Sequence, residues 1–300
     1  MTGPGARQTV RDRPPGGGFF GGSLLPTNDT EPTARPDTRS KPERDVVVVL
    51  PALNEEKGVG NVIDRIPKDR LRRAGYRVRV WVVDGKSTDA TLEVARQRGA
   101  STFVQTGDGK GNGVRQLFDH LIAESRGPRE KASRMFVMLD ADGSYPPERI
   151  PEFVEALESG SADVVAGSRL TGEVEDGAIS SFNLMGNRIL SRLAAFLFRV
   201  PVSDVCTGMW GFREESLRRF GLGATGFDLE ADLFASACEV GARLKEVPIE
   251  YRRRIGDAKL IPFRTGLLIA WRLLMKRLNP PEDARVRIQG RRALFAEDPA

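Results

Sequence analysis

Asp140 and Asp142 stand one residue apart in MLDADGSYPPE (138–148), where an apolar run ends and Gly143 and two prolines follow. Carboxylates are among the groups least often buried without a partner, so a pair at the end of a buried strand faces a cation or a ligand. Alternation along an extended segment would put both side chains on one side. Hard carboxylate oxygens suit Mg²⁺ or Mn²⁺, which stays partly hydrated and also binds substrate phosphates. The structural alternative is a pair of Asx residues capping a turn.

Other residues could serve the same chemistry. GDGKGNGVR carries glycines at 107, 109, 111 and 113 with Lys110 and Arg115. Glycines permit close backbone approach to a phosphate, and the lysine adds a mobile point charge. The stretch lacks the GxxxxGK[ST] form, which argues against a P-loop. Asn183 and Asn187 are four residues apart in an apolar segment and so share a helix face. Arg188, Arg169, Arg254 and Lys259 are cations suited to phosphate. The single histidine, His120, sits in a helix-like stretch and reads as structural.

These residues need a scaffold. DVVVVLPAL, YRVRVWVVD, STFVQT, RMFVMLDAD and ADVVAGSRL are β-branched or apolar runs, each followed or preceded by a helix-like segment. Such alternation predicts an α/β fold, a mostly parallel sheet with helices on both faces. Ligands of these sheets bind at the carboxyl ends of strands. Asn54 and Glu55, Asp84, Asp140 and Asp142, and Ser168 and Arg169 all fall at such ends, which points to one pocket. No GxGxxG follows the first strand, which argues against a dinucleotide-binding oxidoreductase.

Composition bounds the rest. Forty percent hydrophobic residues suffice for a core in a chain of 300. Residues 251–300 hold 12 Lys/Arg against 5 Asp/Glu, while 45–250 hold 27 against 31. A nucleic-acid binder would be basic throughout, so none is expected; a basic end suits an anionic surface. Cys206 and Cys238 form no CxxC and read as reduced cytoplasmic thiols. Residues 1–44, rich in Gly, Pro, Thr and Arg, read as a disordered tail, with the domain proper at 45–260. Over 261–278 the apolar runs are too short to span a bilayer. Leu267, Leu268, Trp271, Leu274, Met275 and Leu278 can instead form one face of an amphipathic helix, with Arg272, Lys276 and Arg277 elsewhere. Either an interfacial helix on anionic lipid or a helix packed on the domain satisfies that pattern, and 279–300 is a polar tail.

VVLPALNEE, VVDGKSTDAT, GDGKGNGVR, LDADGSYPPE and GSRL, in this order and spacing, resemble family 2 glycosyltransferases of the GT-A fold. GNRILSRLAAFLF, DVCTGMWGFREE, GFDLEADL and EVPIEYRRRIGDAKL are similar to the branch with dolichyl-phosphate mannose synthase and polyprenyl-phosphate glucosyltransferases. The likeness covers roughly residues 45–260.

The resemblance implies an inverting, metal-dependent transfer of a hexose from a UDP- or GDP-linked sugar to a polyprenyl phosphate, by an enzyme peripheral to the cytoplasmic membrane face. It implies that Pro51, Ala52, Asn54 and Glu55 line the base and ribose, with Glu55 accepting from a ribose hydroxyl and Asp84 from the base. Lys110 and Asp140 complete the nucleotide-sugar site. Asp140 and Asp142 would hold Mg²⁺ or Mn²⁺, Asp142 more directly. Asp142, Arg169 and Arg254 are then the catalytic set, and Ser168, Asn183, Asn187, Arg188 and Lys259 receive the acceptor phosphate. The chain departs from related synthases at Ser144, where Gln is frequent, at Ala258, where Ser is usual, and at Lys86, which receives no role. Asp89 could act in the site or stabilise a helix start, and Asp204 could contact ligand or position a turn. A phosphate acceptor is already ionised and needs no strong base. A hydroxyl acceptor would need one, and Asp228 or Glu230 would supply it. The remaining alternative is a nucleotide-sugar-binding protein without turnover.

Overall fold

A computed structural model of the chain describes residues 44–124, 134–256 and 262–280. All but the last residue of the N-terminal tail, Lys259, and all but the first two residues of the polar C-terminal tail lie outside them.

The elements alternate as the apolar periodicity requires. Strand β1 (Arg44–Ala52) leads to α1 (Val59–Arg65) and α2 (Lys68–Arg73), then β2 (Tyr76–Asp84), α3 (Thr91–Gln97), β3 (Ser101–Val104) and α4 (Lys110–Glu124). Next come β4 (Arg134–Met138), a 3₁₀ turn at Pro147–Arg149, α5 (Ile150–Glu158) and β5 (Val164–Ser168). The second half holds α6 (Ser181–Phe198), β6 (Trp210–Arg213), α7 (Glu214–Leu217), α8 (Leu229–Glu239), β7 (Leu244–Pro248) and α9 (Pro262–Leu278). Gly99, at φ +74°, closes α3 as expected of a glycine after a helix end.

The strands form one seven-stranded sheet in the order β3-β2-β1-β4-β6-β5-β7. It is parallel except at β6, which runs antiparallel to β4 and β5 on either side of it. β1 is buried on both faces because its alternate residues enter two cores. Val46, Val48 and Leu50 pack with Val59 and Ile63 of α1 and Phe153 of α5. Val47 and Val49 pack with Leu117 and Phe118 of α4 and Phe234 of α8. Helices therefore cover both sides, as a near-continuous β-branched strand demands.

One local expectation fails. β4 ends at Met138, and Ala141 and Asp142 lie in a turn, so the two carboxylates do not alternate along a strand. Gly143, at φ +79°, permits the reversal that turns the chain toward Pro146 and Pro147.

α9 is amphipathic in an inverted sense. Ile269 and Leu273 are buried against the domain, yet so are the stems of the cations. Arg272 pairs with Asp228 at 2.7 Å, and Arg277 donates to the Leu197 carbonyl at 2.8 Å. The Lys276 ammonium sits 3.0 Å from Asp232 and 3.3 Å from Glu239 of α8. The outward face is apolar: Phe263, Leu267, Trp271 and Leu278 are 58–69 % exposed. The sequence pattern set Arg272, Lys276 and Arg277 apart from the apolar residues but did not foresee that they face inward. No helix among the described residues is long and apolar enough to cross a membrane.

Candidate active site

A cavity of about 440 Å³ opens at the carboxyl ends of β1, β2 and β4 and under α6 and α9, a volume suited to a small-molecule ligand. It gathers Pro51, Ala52, Glu55, Lys110, Asp140, Asp142, Arg169, Asn183, Asn187, Glu230 and Arg254, eleven of the residues singled out from sequence. Although the strand alternation fails, the turn still aims both aspartates into one cavity.

Each of those carboxylates is held differently. Asp142 is buried; its Oδ1 accepts from the Ser144 backbone N–H at 3.0 Å and hydroxyl at 2.5 Å. Its Oδ2 lies 3.4 Å from an Arg254 nitrogen. Backbone bonds from Ile255 to the Asp142 carbonyl (2.7 Å) and from Arg252 to the Ser144 carbonyl (3.0 Å) lay this C-terminal strap along the turn. Arg254 is thereby carried over the carboxylate. Burial, the largest single influence, lowers the Arg254 pKa, but Asp142, Tyr251 and Asp140 together hold it above the ordinary value.

Asp140 fits because residue 208 is glycine: a Cβ there would stand 2.6 Å from Asp140 Oδ2. The Lys110 ammonium lies 2.5 Å from Asp140 Oδ1 and 2.6 Å from Glu230 Oε1, bridging α4, the β4 turn and α8. Burial works to lower its pKa, yet the two carboxylates prevail and raise it. For Glu230 burial wins, and its carboxyl is shifted upward despite the lysine.

The glycine-rich loop serves packing as well as access. A Cβ on Gly109 would come within 2.2 Å of the Thr225 carbonyl oxygen, and one on Gly111 within 2.7 Å of that of Ala224. These glycines let the 224–226 backbone press on the loop, which aims Lys110 inward. Arg115 turns away to the Leu222 carbonyl at 3.4 Å.

Arg169 is almost wholly buried and fork-paired with Asp204, at 2.7 and 2.8 Å. Its guanidinium carbon lies 5.2 Å from the Tyr251 ring centroid and 5.9 Å from that of Tyr145, within cation–π range. Asp204 is fully buried and acts by fixing Arg169. Burial pushes the nearby Cys206 thiol up to about 12, so it is inert. α6 turns Asn183 and Asn187 into the cavity from its inner face, as their four-residue spacing predicts. Ser180 caps the helix, accepting from the Asn183 N–H at 3.2 Å.

Several expected residues do not reach the cavity. Asp84 is buried, its oxygens accepting from the backbone N–H groups of Lys86 and Ser87. It shapes the β2 turn, and its neighbours Val83 and Gly85 line the cavity instead. Asn54, at φ +51°, accepts from the Thr88 N–H at 2.8 Å and ties the β1 loop to the next loop, behind Glu55. Asp89 accepts from the Thr91 N–H at 3.0 Å, a helix-start role. The Ser168 hydroxyl is 2.6 Å from that of Ser203, away from the cavity. Arg188 is exposed, because one residue beyond Asn187 rotates about 100° around the helix. Asp228 is paired with Arg272 and accepts from the Gly226 N–H, off the cavity, whereas Glu230 lines it. Lys86 pairs with Asp108 at the surface. His120 lies outside the cavity, among Trp81, Phe103 and Glu124. Tyr145, Tyr251 and Gly208 were missed. The YPP turn and the glycine in CTGM were legible as motifs, but their partners are distant in sequence.

The donor set can be tested against a divalent ion. Among the described residues no three His, Cys, Asp or Glu side chains are gathered to hold an ion unaided. Two carboxylates in a polar cavity nevertheless fit Mg²⁺ or Mn²⁺, whose remaining ligands are water and phosphate.

Residues 47–221 match the model of glycosyl transferase family 2. A dolichyl-phosphate hexose transferase of Haloferax volcanii is 36% identical over 225 residues, covering 75% of this chain and 90% of that protein. An undecaprenyl-phosphate mannosyltransferase of Micrococcus luteus is 30% identical, covering 78% and 99%. Glucosyl-3-phosphoglycerate synthase from Mycobacterium tuberculosis, solved with Mn²⁺ and UDP, superposes with a TM-score of 0.58 at 22% identity, covering 80% and 82%. That likeness establishes the GT-A fold.

Proposed function

The chain belongs to glycosyl transferase family 2, and we propose that it transfers a hexose from a UDP- or GDP-linked sugar to a polyprenyl phosphate, with inversion. The observation that carries this reading is the cavity itself. It joins the Asp140–Asp142 pair to the asparagine face of α6, and Phe182, 59 % exposed, continues its rim onto an apolar surface. A polar headgroup site running into an apolar face suits a lipid phosphate. The names of the Haloferax and Micrococcus relatives support the same acceptor class.

In this reading Glu55, Pro51 and Ala52 hold the nucleoside. Lys110 and Arg254 face the diphosphate and neutralise charge that grows as the bond to the anomeric carbon breaks. A divalent ion bound at Asp140 and Asp142 would add Lewis-acid stabilisation of that leaving group. Asn183 and Asn187 orient the acceptor phosphate. One of its oxygens attacks the anomeric carbon from the face opposite the leaving diphosphate. A phosphate monoester with a second pKa near 6 is already ionised at neutral pH, so no residue need remove a proton.

Membrane contact belongs to the same proposal. α6 exposes Phe182, Met185, Ile189 and Phe196 at helical spacing, and α9 packs beside it with its own outward apolar stripe. Arg188, Arg192 and Arg264 are exposed on these helices and suit anionic headgroups. The enzyme then sits peripherally at the cytoplasmic face, where its two free cysteines stay reduced.

A hydroxyl acceptor is the second reading. Glu230 favours it: a cavity-lining carboxyl whose pKa burial raises is suited to general-base work. Labelled UDP- and GDP-hexoses, offered with polyprenyl phosphate and Mn²⁺ or chelator, decide between them. An organic-extractable, metal-dependent product lost in Asp142→Ala is expected. Product only on water-soluble hydroxyl acceptors would overturn the lipid assignment.

A further inference from the structure

The cavity carries its own counter-ions where a divalent cation would sit. Lys110 touches Asp140 and Glu230 at 2.5 and 2.6 Å, and Arg254 stands 3.4 Å from Asp142. Three carboxylates face two cations, a formal charge of minus one. A divalent ion alone would leave the cavity at plus one, with two cations displaced into a low-dielectric space. A nucleotide sugar alone, with two charges on its diphosphate, would take it to about minus three. The two together restore the original balance, and the diphosphate oxygens replace the carboxylates as partners of Lys110 and Arg254.

We propose that Lys110 and Arg254 close the cation site of the empty protein and exchange partners only when a diphosphate arrives, so that metal and nucleotide bind as a coupled pair. Arg169 takes no part, because Asp204 holds it from a fully buried position. The exchange rests on the donor half of the proposed function and is independent of which acceptor is used. Lys110 is the better gate, since it is mostly buried and holds two carboxylates. Arg254 has a side chain 36 % exposed and can swing aside along its strap.

The test is direct Mn²⁺ binding by electron paramagnetic resonance, without nucleotide and then with UDP or GDP. Wild-type protein should bind Mn²⁺ weakly alone and take it up when the matching nucleotide is added. Lys110→Gln and Lys110→Met should bind Mn²⁺ alone at least tenfold more tightly and bind the nucleotide more weakly. Arg254→Gln should shift both in the same direction by less. Thermal unfolding of each variant checks that the fold persists, and Arg254→Gln, at a half-exposed site, keeps the test valid if a Lys110 variant unfolds. Mn²⁺ affinity that is unchanged or weaker in the folded variants would overturn the proposal, as would tight Mn²⁺ binding by the empty wild type. Absence of a lipid product would instead strike the acceptor assignment and leave this result standing.

Discussion

Replacing Leu267, Trp271 and Leu278 together by Gln should detach the protein from membranes without unfolding it. The three side chains are 59, 58 and 60 % exposed and line one side of α9. Fully burying a leucine is worth about 2 kcal/mol and a tryptophan about 5, from some 200 Å² at 25 cal/mol per Å². Scaling by the exposed fraction gives about 1.2, 2.9 and 1.2 kcal/mol, or roughly 5 in all. An interfacial helix immerses only part of that surface, and taking half leaves about 2.5 kcal/mol, near 70-fold in partitioning. Folding stability should change little, because the side chains are already in solvent. Co-sedimentation with neutral and anionic vesicles measures the effect, with denaturant unfolding as the control. Partitioning of the folded triple variant within twofold of wild type would refute the argument, as would a wild type that ignores both vesicle types. Anionic vesicles should be preferred modestly, since Lys276 and Arg277 point into the domain and cannot meet headgroups.

Two other perturbations test the frame around the site. Asp204→Asn removes the charge that satisfies a buried guanidinium, at a cost of about 3 kcal/mol or more, visible as a lower denaturant midpoint. A loss under 1 kcal/mol would show that Arg169 finds another partner. Asp163, bonded by Arg243 at 2.7 Å, has its carboxyl lowered from 3.8 to about 2, chiefly by that hydrogen bond. A depressed carboxylate stabilises the fold above its unfolded pKa and loses that contribution as pH falls from about 4 toward about 2. Asp163→Asn should flatten the stability profile over that window and nowhere else. An unaltered acid limb would dismiss the pair, whose arginine is 59 % exposed and therefore partly screened.

The sheet was largely legible because β1, β4 and β5 are apolar runs buried on both faces, a pattern few other elements produce. β6 escaped notice. It has four residues, Trp210–Arg213, and its strand state depends on neighbours β4 and β5 that lie far away in sequence. In the site, the i and i+4 spacing on α6 puts Asn183 and Asn187 on the face that lines the cavity, whereas Arg188, one residue on, is exposed. Asp84, Ser168 and Asp228 stay off the cavity for another reason. A polar residue at an element end either faces ligand or satisfies a loop, and its partner decides which. For Ser168 that partner is Ser203, and for Asp228 it is Arg272, 44 residues away. No local pattern encodes such pairings. The same holds for the inverted face of α9, where Arg272 and Lys276 turn inward to Asp228, Asp232 and Glu239 on and beside α8.

Three cations face or wall the cavity, and their partners assign them different work. Arg169 is paired through two hydrogen bonds to a carboxylate with no solvent access, so releasing it would strand a buried charge. It forms a fixed positive part of the cavity wall beside Tyr145 and Tyr251. Lys110 and Arg254 are paired to the carboxylates that fit a divalent ion, so their partners can be taken from them. Electrostatic preorganisation is most effective when charges are in place before the reaction and need not be desolvated during it. On the proposed exchange the site would meet that condition in both states. The carboxylates satisfy the cations before donor binding, and the diphosphate would do so afterwards, at the atoms where leaving-group charge must develop.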